Sequence, residues 1–472
     1  MMWNIKSLWG LACKLFFFAV LGLFFLPSCT EEEDERWATL SDLSFSHDTV
    51  RFDSVFSAEV SPTKLLRIYN RSSLPVRLSR LSLVGGSASS FALLIDGAAA
   101  TEKEELRIGA RDSLTLVIRL RPNAGGKESL LVADEVEITT HNNATRRLRL
   151  EAWGLPHTDL EGGKITKDTD WTGNPALIIS KPLVVAKGVT LRITPGAALY
   201  FRPNASLAVY GRLVVEGTVD RRVLFAGTRL DTAYKYTPGQ WQGLLLMPGS
   251  GPHTIRNATF RSAVTAIRTD SILESCELEN VIITSCSRDA IALRKSTLRI
   301  VGSILAQNSG AALSLRGARV TMDFCTLSGD TRFGQPRRSS LILLDTPPAG
   351  SENSLHISNS IVWGGYSNEI RAIGEAKADV LFATHSIFKW TSLRPSNASE
   401  WQAVLYSDPL LEAPAKLNLE LKEASPARSS GLIQNQDGVI FYDLKGRKRL
   451  HPDGTVDRGA LVYEKKPQAQ SR

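Results

Sequence analysis

Between Ala176 and Gly227 the chain reads ALIISKPLVVAKGVTLRITPGAALYFRPNASLAVYGRLVVEGTVDRRVLFAG, short apolar runs broken every eight to twelve residues by Gly, Pro or Asn corners. No run is long enough, or spaced at the helical period, to bury one face of a helix. Short strands recurring with turn punctuation demand an all-β chain. Irregular self-similarity adds that it is a β-solenoid, in which a single turn cannot bury its apolar side without neighbours.

The recurrence can be followed by the small residue inside each apolar segment. Ala258, Cys276, Ser303, Cys325, Ser360 and Ser386 form one series, at spacings of 18, 27, 22, 35 and 26 residues. One coil of a parallel β-helix takes about this many residues, and longer intervals mark loops at a corner. Small inward side chains let successive coils close around a narrow core, which gives Cys276 and Cys325 a packing role. With Cys286 they make three body cysteines, which cannot pair completely, and no C-x-x-C or Cys/His metal spacing exists.

A second ladder, Ala266-Ile-Arg268, Ala290-Ile-Ala-Leu-Arg294 and Ala312-Leu-Ser-Leu-Arg316, recurs at 26 and 22 residues. If these are equivalent rungs, Arg268, Arg294 and Arg316 line up on one exposed face, about 5 Å apart per coil. Such a row suits a sulfated or uronic-acid glycan, because guanidinium pairs with these oxyanions in a fork. The competing reading is basic side chains protruding singly from a solvated sheet. Tyr234, Tyr236, Trp241, Trp363 and Tyr366 offer a second glycan-stacking surface, since flat rings lie well on sugar faces. Rings in such loops, including Trp390 and Trp401, also cap open corners of a core.

The entry stretch, with Gly239-Gln-Trp-Gln-Gly243 and Ile255-Arg-Asn-Ala-Thr-Phe260, resembles the first coils of right-handed parallel β-helix lipoproteins. The C-terminal succession ending in Asp457-Arg-Gly-Ala460 and Tyr463-Glu464 is similar to the closing segment of many bacterial β-helix proteins, in which a partly irregular tail covers the last coil. Asp443 and Asp457 are expected to fix turns there and not to bind metal.

Residues 37–154 alternate more cleanly, as in Thr49-Val-Arg-Phe-Asp-Ser-Val-Phe56 and Leu114-Thr-Leu-Val-Ile-Arg-Leu120. Around seven strands predict an immunoglobulin-like β-sandwich. Leu66-Arg-Ile-Tyr-Asn70 with Leu74-Pro-Val76, then Asp112-Ser-Leu114, resembles the Ig-like domains of the Hydin type found in secreted bacterial proteins. That resemblance implies a spacer or docking module.

The leader has a basic start, an apolar stretch from Leu15 to Leu26, and the ending Leu26-Pro27-Ser28-Cys29. This is a secretory signal, too short in its uninterrupted apolar run to span a bilayer. The ending resembles a bacterial lipobox, which implies cleavage before Cys29, its lipidation, and stable anchoring by several acyl chains. The acidic run Glu31 to Glu35 repels itself and stays solvated as a tether. It also looks like the surface-export signal of Bacteroidetes lipoproteins, implying an outer membrane protein that faces the cell exterior.

Chemistry is scarce. No Asp-Asp pair, Asn-Thr-Asp or Gly/Ser-His-Gly occurs, and Asp270, Asp289 and Asp323 stand singly. No catalytic residue, metal ligand or cofactor is therefore assigned, though acid–base groups could still assemble from separate coils. The net charge of +8 is spread along the chain and not gathered in one basic run, which argues against a nucleic-acid partner.

The expected organisation is a signal peptide (1–28), a lipidated cysteine with its tether (29–36), a sandwich (37–154) and a linker (155–170). A right-handed parallel β-helix (171–410), a capping segment (411–464) and a disordered tail (465–472) follow. The whole resembles an uncharacterised Bacteroidetes lipoprotein family. Two functions follow from it: a non-catalytic envelope protein that binds a polysaccharide or surface protein or serves as a scaffold, or a polysaccharide lyase or hydrolase acting along the β-helix.

Overall fold

The computed structural model describes residues 36–95, 97–123, 129–272, 274–331, 337–392, 394–433 and 442–465. Cys29, the leader, the acidic run and residues 466–472 lie outside them. Two five-stranded sheets form the N-terminal sandwich. Strands such as Lys64–Asn70 bury alternate residues, and Leu66, Ile68, Leu78, Leu116, Val136 and Leu148 meet in the dry centre between the sheets. The last strand, Thr145–Leu155, is separated by Pro156 alone from the strand His157–Leu160. The stretch 155–170, expected as a linker, is instead the first coil of the solenoid: three short strands there pair in parallel with the coil that follows.

Beyond the sandwich run three all-parallel sheets of ten, nine and nine strands, so the chain forms a parallel β-helix. Face 1 runs from His157–Leu160 to Ile387–Phe388, face 2 from Gly163–Ile165 to Ile370–Ala372, and face 3 from Thr169–Trp171 to Leu381–Thr384. One strand from each face makes a coil, numbered 1 to 10 along the chain. The corner from face 3 to face 1 is turned by one left-handed residue in coil after coil: Asn257, Asn280, Gly302, Phe324, Asn359 and His385, with φ between 44° and 63°. Asparagine and glycine enter that region most readily, which accounts for four of the six.

The residue after each of these turns inward: Ala258, Val281, Ser303, Cys325, Ser360 and Ser386. Cys276 is not among them, because it lies on face 3 opposite His253, and Val281 holds the place assigned to it from spacing. The serines finish the corner's hydrogen bonding. Ser360 Oγ donates to Ser358 O (2.7 Å) and accepts from Cys325 N (3.0 Å). Ser303 does the same between Val301 O and Val281 N. Burial pushes the thiols of Cys276, Cys286 and Cys325 up to about 12, so they are inert packing groups.

Aromatic rings fill the lumen of coils 3 to 5. Phe201 stacks on Trp241 with centroids 4.2 Å apart, and Phe225 on Phe260 at 4.4 Å. Trp241, expected as a glycan-stacking ring, is fully buried and donates its indole N–H to Arg261 O (2.9 Å). Two residues later Gly243 crosses the core at φ 109°, where a Cβ would stand 1.8 Å from Thr265 O. At the far end Trp390 and Trp401 close the lumen, their rings 5.8 Å apart.

The C-terminal segment, expected over the last coil, instead lies along the side of the solenoid. Leu411, Leu419, Leu444 and Leu461 pack on the outward side chains Ile304, Ile361 and Ile387 of face 1. The Asp457-Arg-Gly-Ala460 motif is the clamp. Arg458 donates to Ser386 O and Ser430 O, Gly459 N to Asn359 O, and Ala460 N to Thr326 Oγ1. Asp457 accepts from Ser429 N and Tyr463 N, and Asp443 from Lys445 N, Arg447 N and Val462 N, so both carboxylates fix turns.

One buried pair imitates a catalytic dyad. Ser250 Oγ is 3.0 Å from His253 Nε2, but the hydroxyl proton is committed to Met247 O (2.6 Å). His253 Nδ1 accepts from Leu213 N (3.2 Å), so the ring's own proton sits on Nε2 and points at the serine. The histidine is a satisfied core residue. Its burial, helped by Arg212, lowers its pKa to about 4.

Two measurements test this packing. Trp241→Ala empties the lumen beside Phe201 and should lower the unfolding free energy by about 3–5 kcal/mol in urea titration, whereas a surface ring would cost little. The folded His253 ring stays neutral where the unfolded ring takes up a proton. Its stabilisation is thus intact above about pH 6.5 and is lost as the pH falls toward 4. The stability advantage of wild type over His253→Asn should shrink by about 3 kcal/mol across that window; a constant gap would mean the folded ring is not neutral there.

Candidate functional site

The three outward faces are not equivalent. Face 1 is covered along its length. At coils 2 to 4 the sandwich packs Phe56 and Leu155 on Ile178, Tyr200 and Ala226, with the Phe56 and Tyr200 rings edge to face at 5.1 Å. Asp53 of the sandwich accepts from Thr232 N and Oγ1, both at 2.7 Å, and Arg202 pairs with Glu59. Burial raises the Asp53 pKa, but the two Thr232 bonds with Lys64 and Lys235 nearby outweigh it and leave the carboxyl below its ordinary range. At coil 5 Tyr236 lies against the Arg261 guanidinium, and at coils 7 to 10 the C-terminal segment takes over.

Face 3 is open and mixes paired charges with two exposed arginines, Arg212 and Arg319, that have no ion pair or side-chain hydrogen bond among the described residues. Arg192 pairs with Asp170 (3.8 Å) and Glu216 (3.1 Å), and Arg256 with Glu279 (3.0 Å). These exposed pairs contribute little stability but cancel one another's field.

Face 2 carries a recess. A groove of about 400 Å³ runs across coils 4 to 8, with Leu245, Ala292 and Ser314 on its floor and Met247, Pro248 and the three ladder arginines on its walls. The groove gathers Arg268, Arg294 and Arg316, but not as the straight row expected. Arg294 stands opposite Arg316, whereas Arg268 stands opposite Ala292, two residues away along the strand. The common element is Ala-Ile or Ala-Leu, with Ile267, Ile291 and Leu313 in register. Arginine follows one residue later in the first repeat and three later in the others. A shift of two keeps all three on the outward side while breaking the line.

The arginines also differ in partners. Arg294 Nη1 reaches both oxygens of Asp270 (2.9 and 3.2 Å), and Arg316 lies 4.0 Å from Asp345. Arg268 is exposed and makes no side-chain hydrogen bond or ion pair among the described residues.

The remaining aromatics do not form one surface. Tyr234, half exposed, lies 4.5 Å from the Arg229 guanidinium beside the sandwich. Trp363 is partly buried with Lys389 over its ring, and Tyr366 donates its hydroxyl to Arg337 O (2.8 Å) at the other end of the solenoid. Tyr366 also borders the buried pair of Arg337 and Glu369 (2.6 Å), which no local motif announces.

The three single aspartates have separate structural duties. Asp270 holds Arg294, Asp289 accepts from Ala311 N (2.8 Å), and Asp323 accepts from Ser358 Oγ and Asn359 Nδ2. Burial raises the pKa of Asp289 and of Asp323. Among the described residues no three His, Cys, Asp or Glu side chains converge as metal ligands, and no helix is long and apolar enough to cross a membrane.

No protein-family model matches the chain, and no curated protein matches it. Solved structures match over about a quarter of it. PapD-like domain 7 of human CEP192 is 14% identical, covering 24% of this chain and 86% of that one, with a TM-score of 0.18. The chaperone YadV is 14% identical over 24% of this chain and 52% of its own, with a TM-score of 0.17. A family 123 glycoside hydrolase from Clostridium perfringens is 9% identical over 24% and 27%, with a TM-score of 0.18. At these scores the β-helix and the sandwich are defined by their own hydrogen-bond register.

Proposed function

We propose that this chain is a lipid-anchored envelope protein that acts without catalysis, holding an acidic glycan along face 2 of its β-helix. The anchor is Cys29, and the acidic run behind it supports an outer membrane address facing the exterior. One observation carries the binding role: face 2 is uncovered and grooved, and an unpartnered guanidinium, Arg268, stands at its middle. A guanidinium without a carboxylate of its own offers its donors to a ligand's oxyanion at no cost in broken ion pairs. Against a lyase or hydrolase stand the structural commitments of Asp270, Asp289, Asp323 and His253.

Native gels of residues 37–472 cast with acidic or neutral polysaccharide should show retardation by the acidic polymer alone, with its length unchanged after recovery. Arg268→Ala, Arg294→Ala and Arg316→Ala together should abolish the retardation; shortened glycan would replace this reading with an enzymatic one. Separately, Cys29→Ala should move the full chain from the membrane fraction to the soluble fraction of its host cell. Persistence in the membrane fraction would remove the lipid anchor from the account.

A further inference from the structure

Arg268 belongs to a line of side chains that extends far beyond the groove. In the ladder register of face 2, one outward position is held in coils 1, 5 and 9 by Lys164, Arg268 and Arg371. Between them stand Val184, Ala208 and Leu245, then Ala292, Ser314 and Leu343, all short or apolar and half-buried. The three cations are exposed, and none has an ion pair or side-chain hydrogen bond among the described residues. Neighbouring strands lie about 4.8 Å apart, so unpaired positive charge recurs every ~19 Å along the solenoid axis.

We propose that this row is a docking track for a linear glycan of low charge density, laid along the axis, with carboxylates in step with every fourth coil. The proposal rests on the reading that face 2 binds an acidic glycan, and it names the kind. A pyranose unit in an extended chain advances by nearly one coil step, so sugars and coils stay commensurate. A peptide strand advances by about 3.4 Å per residue and drifts out of step with the coils. Small side chains between the cations leave a smooth floor for the C–H faces of neutral sugars, and each cation meets one carboxylate. Several such contacts on one chain multiply into usable affinity.

A densely charged polymer fits worse. Its intermediate anions would lie over Val184, Ala208 and Leu245 with no counter-charge. Beside the row, Asp270 and Asp345 repel them while occupying Arg294 and Arg316.

The test uses the full chain in detergent, titrated calorimetrically at low salt with short oligomers of deacylated gellan, whose linear four-sugar repeat carries one glucuronate. Polygalacturonate, charged on every sugar, and neutral dextran are the comparisons. Gellan should bind at least about tenfold more tightly than either. Lys164→Ala, Arg268→Ala and Arg371→Ala should each weaken it by about tenfold with the melting temperature unchanged, while Arg294→Ala and Arg316→Ala change it little. Asp270→Asn with Asp345→Asn should improve polygalacturonate binding. Tighter binding of polygalacturonate, or dominance of Arg294 and Arg316, would overturn the track while leaving an acidic-glycan binder. Failure of every glycan would overturn both, and binding of an acidic peptide instead would make face 2 a protein dock.

Discussion

From coil 4 onward the solenoid depends on one backbone event, the left-handed residue that turns each of coils 4 to 9 from face 3 to face 1. For an L-residue such as Phe324 or His385 that conformation costs about 1–2 kcal/mol. The cost is offset where the next residue is a serine, whose buried hydroxyl satisfies the corner's carbonyl and the amide of the coil before. Because the corner recurs at the same place, the strands cannot slip. A slip of one residue would turn every Leu and Ile of a coil outward. Fixed register is also what makes an outward row a straight line, and hence what gives Lys164, Arg268 and Arg371 their regular spacing.

The same register allocates the outer surface. The sandwich and the C-terminal segment divide face 1 between them, each presenting apolar residues to apolar rows. Face 3 pairs Arg192 and Arg256 with carboxylates and leaves Arg212 and Arg319 unpaired. The two ends are treated differently as well. Trp390 and Trp401 plug the C-terminal end of the lumen. At the N-terminal end Gly163–Ile165 and Thr169–Trp171 pair on one side only. These edges are only three residues long and carry Lys164 and Asp170, a composition that discourages another strand from adding.

Fold class was legible in the sequence because alternation and corner punctuation are local. What failed needed register between distant segments. Cys276 and Cys325 both sit in small–x–Leu contexts, yet they belong to different faces, and only the strand pairing separates them. Arg268, Arg294 and Arg316 were found by the repeated alanine, but the pairing moved Arg268 by two residues. Lys164 and Arg371 escaped altogether, since the coils between them carry insertions of unequal length that hide the period. Trp241 lies in a polar insertion, Asp231 to Gly243, whose composition reads as surface although the ring itself turns into the lumen. The first coil was misread because its short, glycine-bearing, charged strands have the composition of a loop.

That first coil leaves Pro156 as the whole connection between sandwich and solenoid, with Phe56, Asp53 and Glu59 bracing it from the side. The sandwich receives the chain at one end, where Trp37 sits by Arg77 and His141, and releases it at the other through Leu155. Sandwich and solenoid thus meet at a packed seam and not through a free linker. A molecule tethered at its first residues would swing like a mast from its foot, so that a polymer gripped along face 2 would tilt with the whole shaft and not rotate about a joint halfway up.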